Sequence, residues 1–148
     1  MSDQGFGARP MSHAVFRVAR LHKALAGALL RESGLHPGQE LALMTLWSQG
    51  PQRLVDLVEA VDSDAPSMTR SVARMERAGL VQRRPSPTDR RAVIVEATPA
   101  SLELRAKVEG AWAELERLTV GSLSAEQQAE ILENLGLLEA NLSAVDRP

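Results

Sequence analysis

The stretch DAPSMTRSVARMERAGL, residues 64–80, constrains the fold more than any other part of the chain. At about 100° per residue, its apolar residues share one side of a helix: Met68, Val72 and Met75. The opposite side carries three arginines, Arg70, Arg74 and Arg77. Asp64 is a favourable N-cap and Gly79 a favourable end. The pattern predicts a helix over residues 65–78 with one side in a core and the basic side exposed.

The segment that follows predicts a β-hairpin with a basic tip. LVQRR and AVIVEAT have strand-like composition, and PSPTD between them is rich in turn residues. Pro85 and Pro87 stiffen the tip and remove backbone donors, which discourages pairing between strand edges. Arg90 and Arg91 follow directly. We expect Asp89 to hold a neighbouring arginine in position through a charge-assisted hydrogen bond.

Charge is distributed unevenly along the chain, whose formal net charge is −2. Residues 69–92 contain seven arginines and two acidic residues, a net charge of +5. Residues 101–148 contain four basic and nine acidic residues, a net charge of −5. A local basic block suits a polyanionic partner, and the acidic end limits indiscriminate binding.

A short helix before the arginine-faced one completes a predicted helix-turn-helix. Gly50-Pro51 opens it, with Pro51 as its first residue, and an apolar stripe follows at Leu54, Leu57, Val58 and Val61. In this arrangement the second helix enters the DNA major groove with its N-terminal residues leading. An arginine side chain can donate two hydrogen bonds to guanine, and the short hydroxyl side chains of Ser and Thr can bind phosphates or bases. An arginine at the hairpin tip can enter the minor groove, where the negative potential is concentrated. The predicted DNA-binding residues are Ser67, Thr69, Arg70, Ser71, Arg74, Arg77, Arg84, Arg90 and Arg91.

Apolar periodicity predicts four longer helices, after a frayed tail over residues 1–10. The first three span about residues 12–32, about 37–47 with Pro37 as the first residue, and 99 to about 120. The fourth begins at a capping box formed by Ser124 and Gln127. The last helix carries a heptad-like stripe: Ile131, Leu135, Leu138 and Leu142. A small monomer cannot bury all these leucines, so we expect a homodimer whose two-fold axis matches a two-fold DNA site.

Several function classes are excluded by what the sequence lacks. The absence of cysteine excludes disulfides, thiolate metal sites and thiol redox switches. His13 and His22 do not share a helical face, so no metal pair is expected. A glycine-rich phosphate loop and a nucleophile elbow are both missing, so we expect neither an enzyme nor a cofactor. With no long apolar run or signal-peptide core, the expected location is the cytoplasm.

Three segments, in this order, resemble the multiple antibiotic resistance regulator (MarR) family of winged-helix repressors. They are LHPGQELALMTL, APSMTRSVARMERAGLVQRRPSPTDRRAVIVEATPA and LSAEQQAEILENL. The resemblance spans about residues 14–143. Its most specific part is R-x-x-x-R-x-E-x-x-G-L-V, followed by PTDRR and then TP.

The resemblance implies a mainly α fold with a winged helix-turn-helix lobe at 34–98 and a two-stranded wing. Residues 11–33 and 99–146 would form a helical dimerisation region. Homodimers of this family read pseudo-palindromic operators, and small, often phenolic or anionic, ligands release them. Residues 67–77 would be the recognition helix, and Asp89, Arg90 and Arg91 match the family's wing motif.

The family's ligand crevice would lie among the first, second and fifth helices. Candidate ligand-binding residues are His22, His36, Trp47 and Trp112. His36 stands where the family often has a capping Ser or Thr, which makes it a candidate pH- or ligand-sensitive position, although a partly exposed histidine without such a role is the simpler interpretation. Core packing is the better interpretation for Trp47, and Trp112 stays open. A winged-helix dimer that binds proteins instead of DNA is the alternative function.

Overall fold

The computed structural model describes residues 7–36, 38–61 and 63–145, which form six α-helices and one three-stranded antiparallel sheet. The helices are α1 (Pro10–Leu30), α2 (Gln39–Gln49), α3 (Leu54–Ala60), α4 (Ala65–Arg77), α5 (Leu102–Val120) and α6 (Ala125–Ser143). The strands are β1 (Gln52–Arg53), β2 (Val81–Pro85) and β3 (Val93–Ala97). Short 3-10 turns at Arg31–Ser33 and Pro99–Ser101 follow α1 and precede α5. The predicted mainly α, winged helix-turn-helix fold is confirmed.

The sheet has one strand more than the predicted two-stranded wing. Its order is β1-β3-β2, and Arg53 of β1 pairs with Ile94 of β3. The prediction that Pro51 begins the third helix is therefore wrong, because Gln52 and Arg53 are extended and α3 begins at Leu54. Pairing with β3 satisfies backbone groups that a helical turn would otherwise satisfy.

The second helix also begins later than predicted. Pro37 lies outside the described residues, and α2 begins at Gln39, after Gly38 in a left-handed conformation with φ 93°. The His36 side chain does not cap this helix. Instead, the Glu40 carboxylate accepts the Gly38 N–H at 2.9 Å, and Gln39 Oε1 accepts the His36 N–H at 3.1 Å.

At the N-terminus, helix α1 begins at Pro10, earlier than predicted. Proline suits the first helical position because its missing N–H has no partner there in any case. Of the predicted frayed tail, residues 1–6 lie outside the described part of the chain.

The main core lies between α2, α3, α4 and the sheet. Its buried residues are Ala42, Leu43, Leu46, Leu57, Met68, Val72, Met75, Val81 and Val95. Outside it, α1 packs against α5, whose Val108 and Leu115 are buried. No residue of α6 is buried. Within the described residues, no helix combines the length and apolar character that crossing a membrane requires.

Candidate nucleic-acid interface

Helix α4 is capped at both ends by the residues that the sequence predicted. Asp64 Oδ1 accepts the Ser67 N–H at 2.8 Å, and Asp64 Oδ2 accepts the Ser67 hydroxyl at 2.8 Å. These hydrogen bonds lower the pKa of the Asp64 carboxyl, so it stays charged at the positive end of the helix dipole. At the other end, Gly79 has φ 77° and the Leu80 N–H donates to the Met75 carbonyl at 2.8 Å. The caps fix where α4 begins and where the chain turns into the wing.

Burial fixes the rotation of α4 about its axis. Met68, Val72 and Met75 are all at most 3% exposed. The opposite side is exposed to solvent and carries Arg70, Arg74 and Arg77. The predicted two-sided pattern of this helix is thus confirmed, and the core holds the basic side outward.

The hydroxyls on α4 are mostly committed to their own helix. Thr69 Oγ1 donates to the Ala65 carbonyl at 2.8 Å, and Ser67 Oγ accepts from Arg70 Nη2 at 3.3 Å. Ser71 is half-buried. In the described part of the chain, Arg74 and Arg77 form no salt bridge. The strongest uncommitted donors on this face are therefore guanidinium groups.

Hydrogen bonds within the wing loop give it a defined shape. Ser86 Oγ accepts the N–H groups of Thr88 at 3.3 Å and Asp89 at 3.2 Å, and the Ser86 N–H donates to the Ala92 carbonyl at 3.1 Å. Asp89 Oδ1 accepts the backbone N–H of Arg91 at 3.0 Å. The carboxylate therefore orients the backbone of Arg91 and leaves its guanidinium uncommitted.

Two other arginines, Arg83 and Arg84, pair with carboxylates that the sequence did not predict as their partners. Glu76 of α4 binds Arg83 of β2 through the Arg83 backbone N–H at 2.9 Å, Nε at 3.1 Å and Nη2 at 2.9 Å. These bonds lower the pKa of the Glu76 carboxyl. Arg84 Nε lies 3.7 Å from Glu96 Oε2 on the neighbouring strand, in the diagonal register of a β-ladder. Only the strand register, which local sequence does not give, brings Arg84 and Glu96 together.

Of the seven arginines in residues 69–92, the five that form no salt bridge with the described residues make up what we call the basic surface: Arg70, Arg74, Arg77, Arg90 and Arg91. They come from the recognition-helix position and from the wing tip. Guanidinium groups with uncommitted donors are suited to phosphate and to guanine edges.

The four predicted ligand-binding residues do not form one site. Trp47 lines a cavity of 450 Å³, together with residues of α3 and α5. His36 lines a separate cavity of 400 Å³. His22 of α1 and Trp112 of α5 contact one another edge to face, with ring centroids 6.4 Å apart. Neither of these two cavities is lined by α1, which packs onto α5, whereas α5 contributes to both.

The two tryptophans differ in their polar contacts. Trp47 Nε1 donates to the Ser101 hydroxyl at 3.0 Å, which joins α2 to the turn before α5. The Trp112 indole N–H is buried and has no hydrogen-bond partner among the described residues. Trp47 also packs against the main core, as expected from the sequence.

Comparison with known proteins gives consistent results. The sequence profile of the MarR family matches residues 35–93. The HTH-type transcriptional repressor NicR of Pseudomonas putida is 29% identical over 122 residues, which cover 82% of this chain and 77% of NicR.

Solved structures of the same architecture include two with functional descriptions. BpsR of Bordetella bronchiseptica, whose DNA binding is regulated by 6-hydroxynicotinic acid, superposes with a TM-score of 0.80 at 25% identity, covering 88% of this chain and 99% of that one. A mutant MarR from E. coli complexed with operator DNA superposes with a TM-score of 0.80 at 22% identity, covering 93% and 99%. At 22% identity, the similarity to the E. coli MarR mutant is evidence for the fold alone. Residues 35–93 thus match the MarR family, and the chain as a whole shares the winged helix-turn-helix architecture of MarR-family regulators.

Proposed function

We propose that this chain is a sequence-specific, double-stranded DNA-binding transcriptional repressor that works as a homodimer in the cytoplasm and is relieved by a small-molecule ligand. The observation that carries this proposal is the basic surface. Its arginines lie at the two places from which a winged helix contacts a duplex, the exposed side of the second helix and the tip of the hairpin.

The roles of individual residues follow from their positions. Arg70 and Arg74, with Ser71, are assigned to the major groove, and Arg90 and Arg91 to the minor groove or its phosphates. Ser67, Thr69, Arg77 and Arg84 complete the set as phosphate or edge contacts. The hydrogen bond that the Asp89 carboxylate accepts from the Arg91 backbone N–H supports a wing-orienting role for that carboxylate.

A second copy of the chain is the proposed partner of the terminal helices. Along α6, apolar side chains are exposed that would normally be buried: Ile131, Leu132, Leu135, Leu137 and Leu142. Phe16 and Leu21 of α1 are 55% and 60% exposed. Packing these faces together across a two-fold axis would bury them and place two recognition helices on successive major grooves. On this proposal, residues 34–98 bind DNA, and 11–33 with 99–146 form the dimer.

The proposal that a ligand relieves repression rests on the relatives and on the two cavities. NicR is a repressor and the DNA binding of BpsR responds to 6-hydroxynicotinic acid. Cavities of 400 and 450 Å³ are within the size range of small-molecule sites. No side-chain constellation in the described residues suggests catalysis, so the proposal is a regulator and not an enzyme.

The test is a fluorescence-anisotropy titration of the purified protein against its own upstream intergenic duplex, with a scrambled duplex of equal length as control. We expect tighter binding to the native duplex and a steep loss of affinity with added salt, because released counterions drive phosphate contacts. Sedimentation equilibrium in the same buffer should give twice the monomer mass. Equal, weak binding to both duplexes would reject the proposal and favour a protein-interaction module.

A further inference from the structure

Three polar side chains are linked at the N-terminal end of α4. Asp64 Oδ2 accepts the Ser67 hydroxyl at 2.8 Å, and Ser67 Oγ accepts Arg70 Nη2 at 3.3 Å. Each is three residues from the next, a spacing that places side chains next to one another on a helix. We call this arrangement the cap–arginine link, because it joins the helix cap to an arginine of the basic surface.

The Ser67 hydroxyl is fully used within the cap–arginine link. A hydroxyl has one hydrogen to donate, and that of Ser67 goes to the Asp64 carboxylate. The lone pairs of the same oxygen accept Arg70. A DNA phosphate accepts hydrogen bonds and donates none, so the Ser67 hydroxyl has no hydrogen left for it. The remaining route from Ser67 to DNA passes through Arg70.

Charges at both ends strengthen the cap–arginine link. Hydrogen bonds from the Ser67 N–H and hydroxyl lower the pKa of the Asp64 carboxyl, and the positive charge of Arg70 lowers it further. Hydrogen bonds with an ionised partner are stronger than those between neutral groups. Arg70 is exposed and forms no salt bridge in the described part of the chain. The contact with Ser67 is therefore what restrains its guanidinium.

Arg70 can bind a base while it is held by Ser67. A guanidinium has five N–H groups, and the contact with Ser67 uses one of the two on Nη2. The other N–H of Nη2 and both of Nη1 stay available, which is enough for two parallel hydrogen bonds to guanine. Since Ser67 lies one turn before Arg70, the link draws the guanidinium toward the N-terminal end of α4. That end leads into the major groove in a helix-turn-helix.

We propose that Asp64 and Ser67 are positioning residues that hold the Arg70 guanidinium in the orientation in which it reads a base, and that Ser67 makes no DNA contact of its own. The inference rests on the proposed function and refines the role of Ser67 within it. A mobile arginine loses rotamer freedom when it binds, and a side chain that is already held loses less. Holding Arg70 therefore favours the sequence whose base matches its fixed geometry.

Restraint of Arg70 is tested on the full chain without DNA, by NMR relaxation of the arginine Nε–H groups. We expect a higher order parameter for Arg70 than for Arg74, which has no carboxylate partner within the described residues. In Ser67→Ala the Arg70 value should fall to the Arg74 level, and in Ser67→Thr, which keeps a hydroxyl, it should not. Both variants keep the helix cap, because Asp64 Oδ1 accepts the backbone N–H of residue 67. Equal order parameters for Arg70 and Arg74 in the unmodified protein would overturn the proposal.

The effect on DNA reading is tested by anisotropy titrations of the native and scrambled duplexes. In Ser67→Ala we expect the ratio of native to scrambled affinity to fall by about three- to tenfold, the scale of one side chain that must be ordered on binding. Asp64→Asn, which keeps a helix cap without the charge, should also lower the ratio. Ser67→Thr should restore the ratio to that of the unmodified protein. Ser48→Ala removes an exposed hydroxyl on α2 and is the control, with no expected change.

A double variant separates positioning from direct contact. In the Arg70→Ala background, Ser67→Ala should change neither the affinity ratio nor the salt dependence. A further loss in that background, or a salt slope reduced by about one, would make Ser67 a phosphate contact and overturn the proposal. If Arg70 is restrained but Ser67→Ala keeps the ratio, the positioning role fails and the proposed function stands. If the unmodified protein binds neither duplex, both fail.

Discussion

The Glu76 carboxylate fastens the recognition-helix position to the first wing strand through three hydrogen bonds to Arg83, two of them 2.9 Å long. One bond takes the backbone N–H of Arg83, so the contact fixes the strand as well as a side chain. The distance between α4 and the wing is therefore set partly by an ion pair at the surface.

Weakening the ion pair between Glu76 and Arg83 should reduce the ability of the protein to distinguish DNA sequences. In Glu76→Gln we expect the ratio of native to scrambled affinity to fall by about threefold, the scale of an exposed ion pair. Affinity for scrambled DNA should rise slightly, because a negative charge near the basic surface is lost. Anisotropy titrations on both duplexes measure this. Glu114→Gln, which breaks the equivalent pair with Arg117 on α5, is the control. An unchanged ratio in Glu76→Gln would show that the wing keeps its position without the pair.

Arg74 should contribute to sequence reading and not only to charge. Replacing it with Ala should weaken binding to the native duplex by about 1–3 kcal/mol if it contacts guanine with both donors. The scrambled duplex should lose less. Arg117→Ala, an exposed arginine on α5 outside the basic surface, controls for the loss of one positive charge. An equal loss on both duplexes would reassign Arg74 to a phosphate.

The hydroxyl of Ser101 should matter for stability, although it is far from the basic surface. It is fully buried, accepts the Trp47 indole N–H at 3.0 Å and donates to the Thr98 carbonyl at 2.7 Å. Ser101→Ala leaves the half-buried Trp47 indole N–H without its partner, and we expect a loss of about 1 kcal/mol in the free energy of unfolding. Urea denaturation followed by tryptophan fluorescence measures it. Ser48→Ala, at an exposed position on α2, should stay within about 0.5 kcal/mol of the unmodified protein.

Glu40 should lower stability at neutral pH. Its side chain is buried, and burial raises the pKa of this carboxyl above its ordinary value, against the effect of the hydrogen bonds from its own N–H and that of Gly38. Between the ordinary and the raised pKa the folded chain binds more protons than the unfolded chain, so this group adds stability as pH falls. Above the raised pKa it opposes folding.

The variant Glu40→Gln keeps an acceptor for the Gly38 N–H but carries no charge. We expect it to unfold at higher urea concentration than the unmodified protein at pH 7, with the difference shrinking toward pH 4.5. Denaturation of both proteins at a series of pH values checks this. A difference that did not change with pH would mean that desolvation of the charge is not the cause.

Local sequence was sufficient for the elements whose signals are contained within a few residues. The caps of α4 and α6 are set by side chains three residues from their backbone partners, so Asp64, Ser124 and Gln127 could be identified directly. The apolar and basic sides of α4 follow from helical periodicity alone. These interactions are local, and the helix geometry that produces them is always the same.

Contacts between distant residues depended on the tertiary structure. Strand β1 forms because β3, some forty residues later, offers it hydrogen-bond partners, and no local pattern in Gln52–Arg53 indicates this. The ion pair between Glu76 and Arg83 forms because the turn at Gly79 directs β2 back past α4.

For the candidate ligand-binding residues, too, local sequence and tertiary structure determined different things. The sequence identified His36 and the tryptophans by residue type, but the packing of α1 on α5 separated them into different places. The sequence by itself determined the caps, the basic side of α4 and the hairpin, because hydrogen bonds and periodicity act within one or two turns of chain. Only the tertiary structure decided which arginines stay unpaired and that Arg74 borders both an exposed face and a cavity, because the partners that neutralise or enclose a side chain come from other elements.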